Sequence, residues 1–230
     1  MKVFAIGDLH LSLGGTKPMD VFGPEWQDHH LKIARNWRDV VGADDIVAIA
    51  GDVSWAMRPP EAEPDLRFIG DLPGRKVLIK GNHDYWCESK SKVDRILPDS
   101  VSYIYNSAAV IGGIGFAGTR GWLCRASDDF DEAKDGKHLR HEDLRLKTSL
   151  DALKQLEFRA AMIIMHFPPS PEQMTCISTI CEKCDAVHCA YGHLHGDDCR
   201  NGFNGKIEGV TYSLVSADFV NFMPRLIMAE

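Results

Sequence analysis

The sequence predicts an α/β fold with mixed sheets, on three observations. Short apolar runs recur along the chain and stop at polar, often glycine-containing, punctuation. Helical apolar patterns fill several of the intervals between them. Stretches rich in β-branched and aromatic residues, broken by glycine, occupy the middle and the C-terminal end. The alternation implies parallel pairing and the later stretches imply hairpins, which suggests two packed sheets with helices outside. No internal repeat, low-complexity tract or linker interrupts the chain, so residues 1–230 read as a single domain. At 230 residues and 44% hydrophobic composition it can bury a substantial core.

The apolar runs come first in the argument because each predicts a buried strand with polar residues at its C-terminal end. They are "KVFAIGD" at the start, "DIVAIAGD" at 45–52, "KVLIKGNHD" at 76–84, "AMIIMHF" at 161–167 and "AVHCAYGH" at 186–193. Residues 25–42 set Leu31, Ala34, Trp37, Val40 and Val41 at helical spacing and end on a glycine, which predicts a helix. Further helices are expected within 61–72 and from Trp86 or Glu88 onward. Residues 128–158 are charged and helix-prone, with Leu139, Leu144, Leu146, Leu150, Leu153 and Leu156 forming an apolar stripe. A hairpin turning at Asn106-Ser107 is expected within 101–122, and a second β segment at 203–216.

Charge and cysteine usage narrow the class of function. Lys plus Arg total 26 against 33 for Asp plus Glu, a net charge of -7 that disfavours duplex nucleic acid and anionic lipid as partners. Only four consecutive apolar residues, Val3 to Ile6, open the chain, far short of a signal peptide, and no stretch is long enough to span a bilayer. The expected location is therefore the cytoplasm, with the seven cysteines reduced. Cys181 and Cys184 have the spacing of a zinc or redox pair, but no second pair accompanies them. Cys176, Cys181 and Cys184 fit one face of an amphipathic helix, so small buried hydrophobes are the expected role.

What the strand ends carry is chemistry. The first delivers Asp8 and His10, two apart and therefore on one side of an extended chain; the second delivers Asp52. The third supplies Asn82, His83 and Asp84, the fourth His166, and the fifth His193 and His195. Turn formation accounts for an occasional Asp or Asn but has no use for repeated imidazoles. In sheets of this kind, sites form beyond the carboxyl ends of the strands, so groups far apart in sequence can converge. Carboxylate, carboxamide and imidazole without thiolate suit Mn, Fe, Co or Zn. Seven such ligands are too many for one tetrahedral ion. They suit two ions sharing a carboxylate, an arrangement that clamps the attacking and leaving oxygens of an in-line displacement at phosphorus.

"GDLH" (7–10), "GDVSW" (51–55), "GNHD" (81–84), the lone His166 and "GHLH" (192–195) stand in an order that resembles the calcineurin-like metallophosphoesterases. The resemblance spans residues 7–195. It implies two β-sheets packed face to face and flanked by helices, a four-layer αββα sandwich. It also implies two divalent ions, with manganese the favoured metal: Asp8, His10 and His195 on the first, Asn82, His166 and His193 on the second, and Asp52 bridging. His83 matches the family histidine that binds the phosphoryl group or protonates the leaving group, and Asn82 would also contact substrate. Asp84 is expected either to orient that imidazole or to cap the following helix.

The implied activity is hydrolysis of a phosphate ester, monoester or diester, by a hydroxide held between the two ions. The phosphoprotein phosphatase branch carries a second aspartate where Trp55 stands, which argues against that specificity. A catalytically inactive scaffold would show eroded ligands, and here all seven and His83 are intact. A small phosphate ester or diester is the expected substrate, with no membrane partner. Arg58 and Arg120 are expected in surface salt bridges, and Trp55, Trp86 and Trp122 in packing around loops or along a cleft.

Overall fold

The computed structural model describes residues 1–15 and 17–229. Its strands form two sheets. The first contains β1 (Lys2–Ile6), β2 (Ile46–Ile49), β3 (Arg75–Leu78), β4 (Val101–Tyr103) and β11 (Arg225–Ala229), in the order β11-β1-β2-β3-β4. The second contains β5 (Ala109–Ile111), β6 (Ile114–Thr119), β7 (Ala160–Met165), β8 (Ala186–Tyr191), β9 (Gly205–Ile207) and β10 (Val210–Leu214), in the order β5-β6-β7-β8-β10-β9. Inner pairs such as β1–β2, β2–β3, β6–β7 and β7–β8 are parallel, and the antiparallel strands β11, β5 and β9 lie at edges.

Alternation along each strand sorts side chains between layers. On β1, Val3 and Ala5 face the other sheet, whereas Phe4 and Ile6 face outward to helices. On β7, Met162 and Ile164 face the inter-sheet core, while Ala161, Ile163 and Met165 face the helices of the second sheet. Both faces are dry, which is why these strands read as unbroken apolar runs rather than as alternating ones. The expected αββα sandwich is the observed fold.

Helix α1 (His29–Val40) is shorter than the pattern over 25–42 suggests. Asp28 has a left-handed backbone, φ 51°, and breaks the periodicity, so Pro24–Trp26 forms a separate 3₁₀ turn. The buried face of α1 is Ile33, Ala34 and Trp37, whereas Leu31 is 59% exposed. Burying Ile33 and Trp37 contributes roughly 1.5–3 kcal/mol each. Val41, in extended conformation, ends the helix instead of the glycine. Helices α2 (Pro59–Gly70) and α3 (Lys90–Asp94) complete this layer.

The hairpin turns elsewhere than expected. β4 belongs to the first sheet and β5 to the second, so Asn106 and Ser107 lie in a crossover between sheets. The tight turn is Gly112-Gly113, with φ 58° and 79°, between β5 and β6. Two successive positive φ values suit the twist of a two-residue hairpin, and glycine adopts them without a Cβ penalty.

Helix α4 (Glu132–Lys154) buries Leu139, Leu146, Leu150 and Leu153 against the second sheet and leaves Leu144 exposed. Asp131 caps its start by accepting from the Ala133 amide. Helix α5 (Pro171–Ser178) ends before the three cysteines can share its face: Cys181 lies in the following 3₁₀ turn and Cys184 beyond it, and with Cys176 they pack half-buried against the apolar layer outside the second sheet. Cys181 donates to the Glu208 carbonyl and Cys184 to that of Ala186, so each thiol is turned toward backbone. Cys189 is buried in β8, where burial pushes its thiol pKa up. No helix among the described residues is long and apolar enough to cross a membrane.

Candidate functional site

The carboxyl ends of β1, β2, β3, β7 and β8 meet at one place, and the seven expected ligands and His83 lie there. Bringing them together strains the chain: Asp8, His10, Asp52 and His193 adopt positive φ values of 56°, 44°, 50° and 73°. Non-glycine residues rarely sit in that region, and such departures cluster at working sites. The glycine opening a motif has a steric reason. A Cβ on Gly81 would lie 2.1 Å from Asp52 Oδ1, and one on Gly192 would lie 2.2 Å from Asp8 Oδ2.

Asp8 Oδ1 stands 3.5 Å from His195 Nε2 and 3.7 Å from His166 Nδ1. Asp52 Oδ2 stands 3.5 Å from His166 Nε2 and 3.8 Å from His10 Nε2. These separations exceed a good hydrogen bond. They approach the spacing of two ligands each ~2.1 Å from one ion, roughly 3–3.5 Å. Two overlapping groups can hold a cation: Asp8, His10 and His195, and Asp8, Asp52 and His166. The first is the trio assigned to the first ion from sequence. The second brings Asp52, the bridge expected from sequence, and His166 together with Asp8, while Asn82 Oδ1 lies 2.6 Å from His166 Nε2 and 3.1 Å from His193 Nδ1.

One contact bears directly on metal binding. His166 Nδ1 donates to the Ala50 carbonyl at 2.9 Å, which leaves Nε2 with a lone pair in the neutral ring. That lone pair faces the Asn82 oxygen, so two acceptors meet and require a cation or an additional proton between them. His10 Nδ1 is buried with no hydrogen-bond partner among the described residues. The donor set thus fits divalent metal ions, with oxygen and imidazole ligands and no thiolate.

Electrostatics without an ion are unfavourable in the way a cation would correct. Burial, followed by the charges of Asp84 and Asp8, drives the Asp52 carboxyl pKa well up against the opposing pull of His166. Burial acts in the same direction on Asp8, but the neighbouring imidazoles of His195, His166 and His10 hold it below the usual carboxylate range. Burial and then His166 push His193 down to about 3. On His195 burial acts downward too, but the hydrogen bond to Asp218 and the nearby Asp8 carboxylate overcome it and raise the pKa to about 10. A bound divalent ion becomes the largest local charge and reverses this logic by favouring ionised carboxylates and neutral imidazoles.

Two sequence expectations change here. Asp84 neither orients the His83 imidazole by a hydrogen bond nor caps a helix, since α3 begins at Lys90. Its Oδ1 accepts from the Val53 and Ser54 amides and from Trp86 Nε1, and its Oδ2 accepts from the Gly81 amide. It ties the loop after β2 to the loop after β3. Trp86 is accordingly buried, not cleft-lining. Trp122 stacks on His138 at 4.6 Å and donates to Asp135. Arg120 pairs with the buried Glu142 at 3.0 Å, and Arg58 is exposed at the start of α2.

A cleft of about 330 Å³ opens onto His10, Asp52, His83, His193 and His195. Trp55 forms part of its wall, 4.8 Å from the His10 ring and 4.5 Å from that of His83. Met19, Phe22, Glu25, Trp26 and Asp218 complete it and are absent from the sequence reading. Asp218 follows the C-terminal end of β10, the same position that carries the other site residues, and that signal could have found it. Its Oδ1 lies 2.9 Å from His195 Nδ1, and its Oδ2 accepts from the Gly196 amide. A carboxylate behind an imidazole fixes the tautomer and raises ligand basicity. We expect Asp218→Ala to weaken divalent-metal affinity by about 10–100-fold, measured by calorimetric titration of metal-free protein.

The calcineurin-like phosphoesterase family model matches residues 1–197. The chain belongs to that family. The Gene 66 protein of Mycobacterium phage L5 is 39% identical over 79 residues, which cover 34% of this chain and 37% of that protein. The Gene 66 protein of Mycobacterium phage D29 is 37% identical over 84 residues, covering 36% of this chain and 40% of that protein. The matched stretch thus spans well under half the length of these curated relatives. Among solved structures, the phosphopantetheinyl hydrolase of Mycobacterium tuberculosis aligns with a TM-score of 0.57 at 16% identity, over 100% of this chain and 96% of that one. A protein of unknown function from Aquifex aeolicus, AQ665, aligns with a TM-score of 0.50 at 18% identity, over 98% and 95%. These two solved structures share the chain's architecture.

Proposed function

We propose that this phosphoesterase is a dinuclear metal-dependent hydrolase of phosphate esters, acting as one catalytic unit over residues 1–230. The observation that carries the reading is the meeting of acceptor with acceptor at His166 and Asn82, beside two buried carboxylates whose partners stand at ligand distances. Asp8, His10 and His195 would hold one ion, Asn82, His166 and His193 the other, and Asp52 both. Two divalent ions, when bound, supply positive charge for the phosphoryl oxygens and ionise water near neutral pH.

The chain's own groups supply the rest. His83 faces the cleft, and its backbone amide donates to Asp52 Oδ1 at 2.7 Å, which ties the loop carrying the candidate acid to the proposed bridging carboxylate. Its imidazole would protonate the departing oxygen or donate to the phosphoryl group. Trp55 packs against that imidazole and excludes water from one side of it. Tryptophan there, rather than an acid, argues against phosphoprotein substrates. Manganese is the favoured metal, a small phosphate ester or diester the expected substrate, and the cytoplasm the expected location.

The test is metal content and turnover together. Protein stripped with chelator and reloaded with Mn²⁺ should bind two equivalents and hydrolyse bis(p-nitrophenyl) phosphate. Retention of two ions with no hydrolysis of any phosphate ester would favour a binding scaffold instead.

A further inference from the structure

The cleft beside the candidate metal ligands has a character of its own. One wall is Met19, Phe22 and Trp26, from the segment between β1 and α1, and Trp55 stands in the lining beside His10 and His83. Trp26 is buried, with its ring 5.7 Å from that of His195 and 5.1 Å from Phe222, so it is a fixed surface. Trp55 is fixed as well, because its indole nitrogen contacts Met19 Sδ at 3.0 Å. Phe22, by contrast, is 65% exposed, a large apolar side chain at the mouth of the cleft.

The charges of the lining are equally one-sided. It contains Glu25, Asp52 and Asp218 and neither lysine nor arginine. The Lys17 ammonium lies over the Trp55 ring at 4.4 Å, outside that lining. Sites built for dianionic monoesters commonly add guanidinium or ammonium groups around the phosphate. Within the lining itself, positive charge would come from bound ions and imidazoles. A singly charged diester asks less of the site, and its second ester group needs a surface to occupy. Flat groups gain most from such a surface, through stacking on rigid indole and phenyl faces.

We infer that the cleft takes phosphodiesters bearing a flat, apolar or aromatic ester group, seated between the Met19-Phe22-Trp26 wall and Trp55, in preference to monoesters. This rests on the phosphoesterase reading above and specifies its substrate class. Phe22 is the specificity-determining side chain, because it alone on that wall is exposed enough to close over a bound group.

The Mn²⁺-loaded protein should be compared on bis(p-nitrophenyl) phosphate, methyl p-nitrophenyl phosphate and p-nitrophenyl phosphate, which share one leaving group. The aromatic diester should exceed the methyl diester in kcat/KM by about tenfold or more, and both should exceed the monoester. Binding gives a second readout: diphenyl phosphate should quench tryptophan fluorescence at about tenfold lower concentration than dimethyl phosphate perturbs it. Phe22→Ala should reduce both ratios severalfold through KM, whereas Val21→Ala, an exposed neighbour outside the lining, should leave them as they are. Equal handling of the two diesters, a preference for the monoester, or ratios unmoved in Phe22→Ala would overturn the inference while leaving a phosphoesterase. Hydrolysis of none of the three would remove the underlying reading and the inference with it.

Discussion

Asp52→Asn should lose hydrolysis of bis(p-nitrophenyl) phosphate by more than about a hundredfold, and should retain at most one of two metal ions. The magnitude follows from comparison. Removing a partner behind a ligand typically costs about 10–100-fold in affinity or activity, and Asp52 is proposed as a ligand to both ions. Its Oδ2 faces both His166 and His10, and its Oδ1 receives the His83 amide. An amide side chain keeps the shape but loses the charge, so the fold should survive. In the metal-free state the substitution should even be stabilising, since it removes a buried carboxylate whose ionisation burial, Asp84 and Asp8 all oppose. Equilibrium unfolding in chelator, set beside metal counting by mass spectrometry, separates the two effects. Full activity with two bound ions in the variant would exclude Asp52 as the bridge.

That apo-state gain and holo-state loss share one cause. Natural sequences retain buried, mutually repelling groups where function needs them, and elsewhere local choices agree with the fold. The same contrast explains what the sequence discloses. Strands buried on both faces produce continuous apolar runs, and the glycines before Asn82 and His193 stand where a Cβ would collide with a neighbouring motif's carboxylate. Both signals are local, so β1, β2, β3, β7 and β8 and the candidate ligands they carry are legible in the sequence. Trp26 is not, because helical periodicity runs through a backbone break at Asp28 that leaves no compositional mark. The hairpin at Gly112-Gly113 competed with an equally plausible turn at Asn106-Ser107, and only sheet membership separates them. β11 carries a mixed exposure pattern at an edge and lacks the signature of a buried strand.

The role of Asp84 was illegible for a deeper reason: its partners come from two loops, and their number is visible only in space. Four donors converge on one buried carboxylate, from Val53, Ser54, Gly81 and Trp86. Asp84→Ala should therefore destabilise the protein by about 3–5 kcal/mol, read as a lower urea midpoint, because it strands buried donors that have no alternative acceptor. Asp84→Asn retains one acceptor oxygen but places an amide donor among N–H groups, so it should cost less, about 1–3 kcal/mol. Both should also weaken metal binding, because the loops being joined carry Asp52 on one side and Asn82 with His83 on the other. The alternative suggested by sequence, a partner that tunes the His83 imidazole, makes a different prediction. It requires Asp84→Asn to keep its stability and metal content while losing turnover with a shifted pH profile. The observed bonds favour the first outcome, since the carboxylate spends its oxygens on backbone and indole donors and none of those bonds goes to the His83 ring.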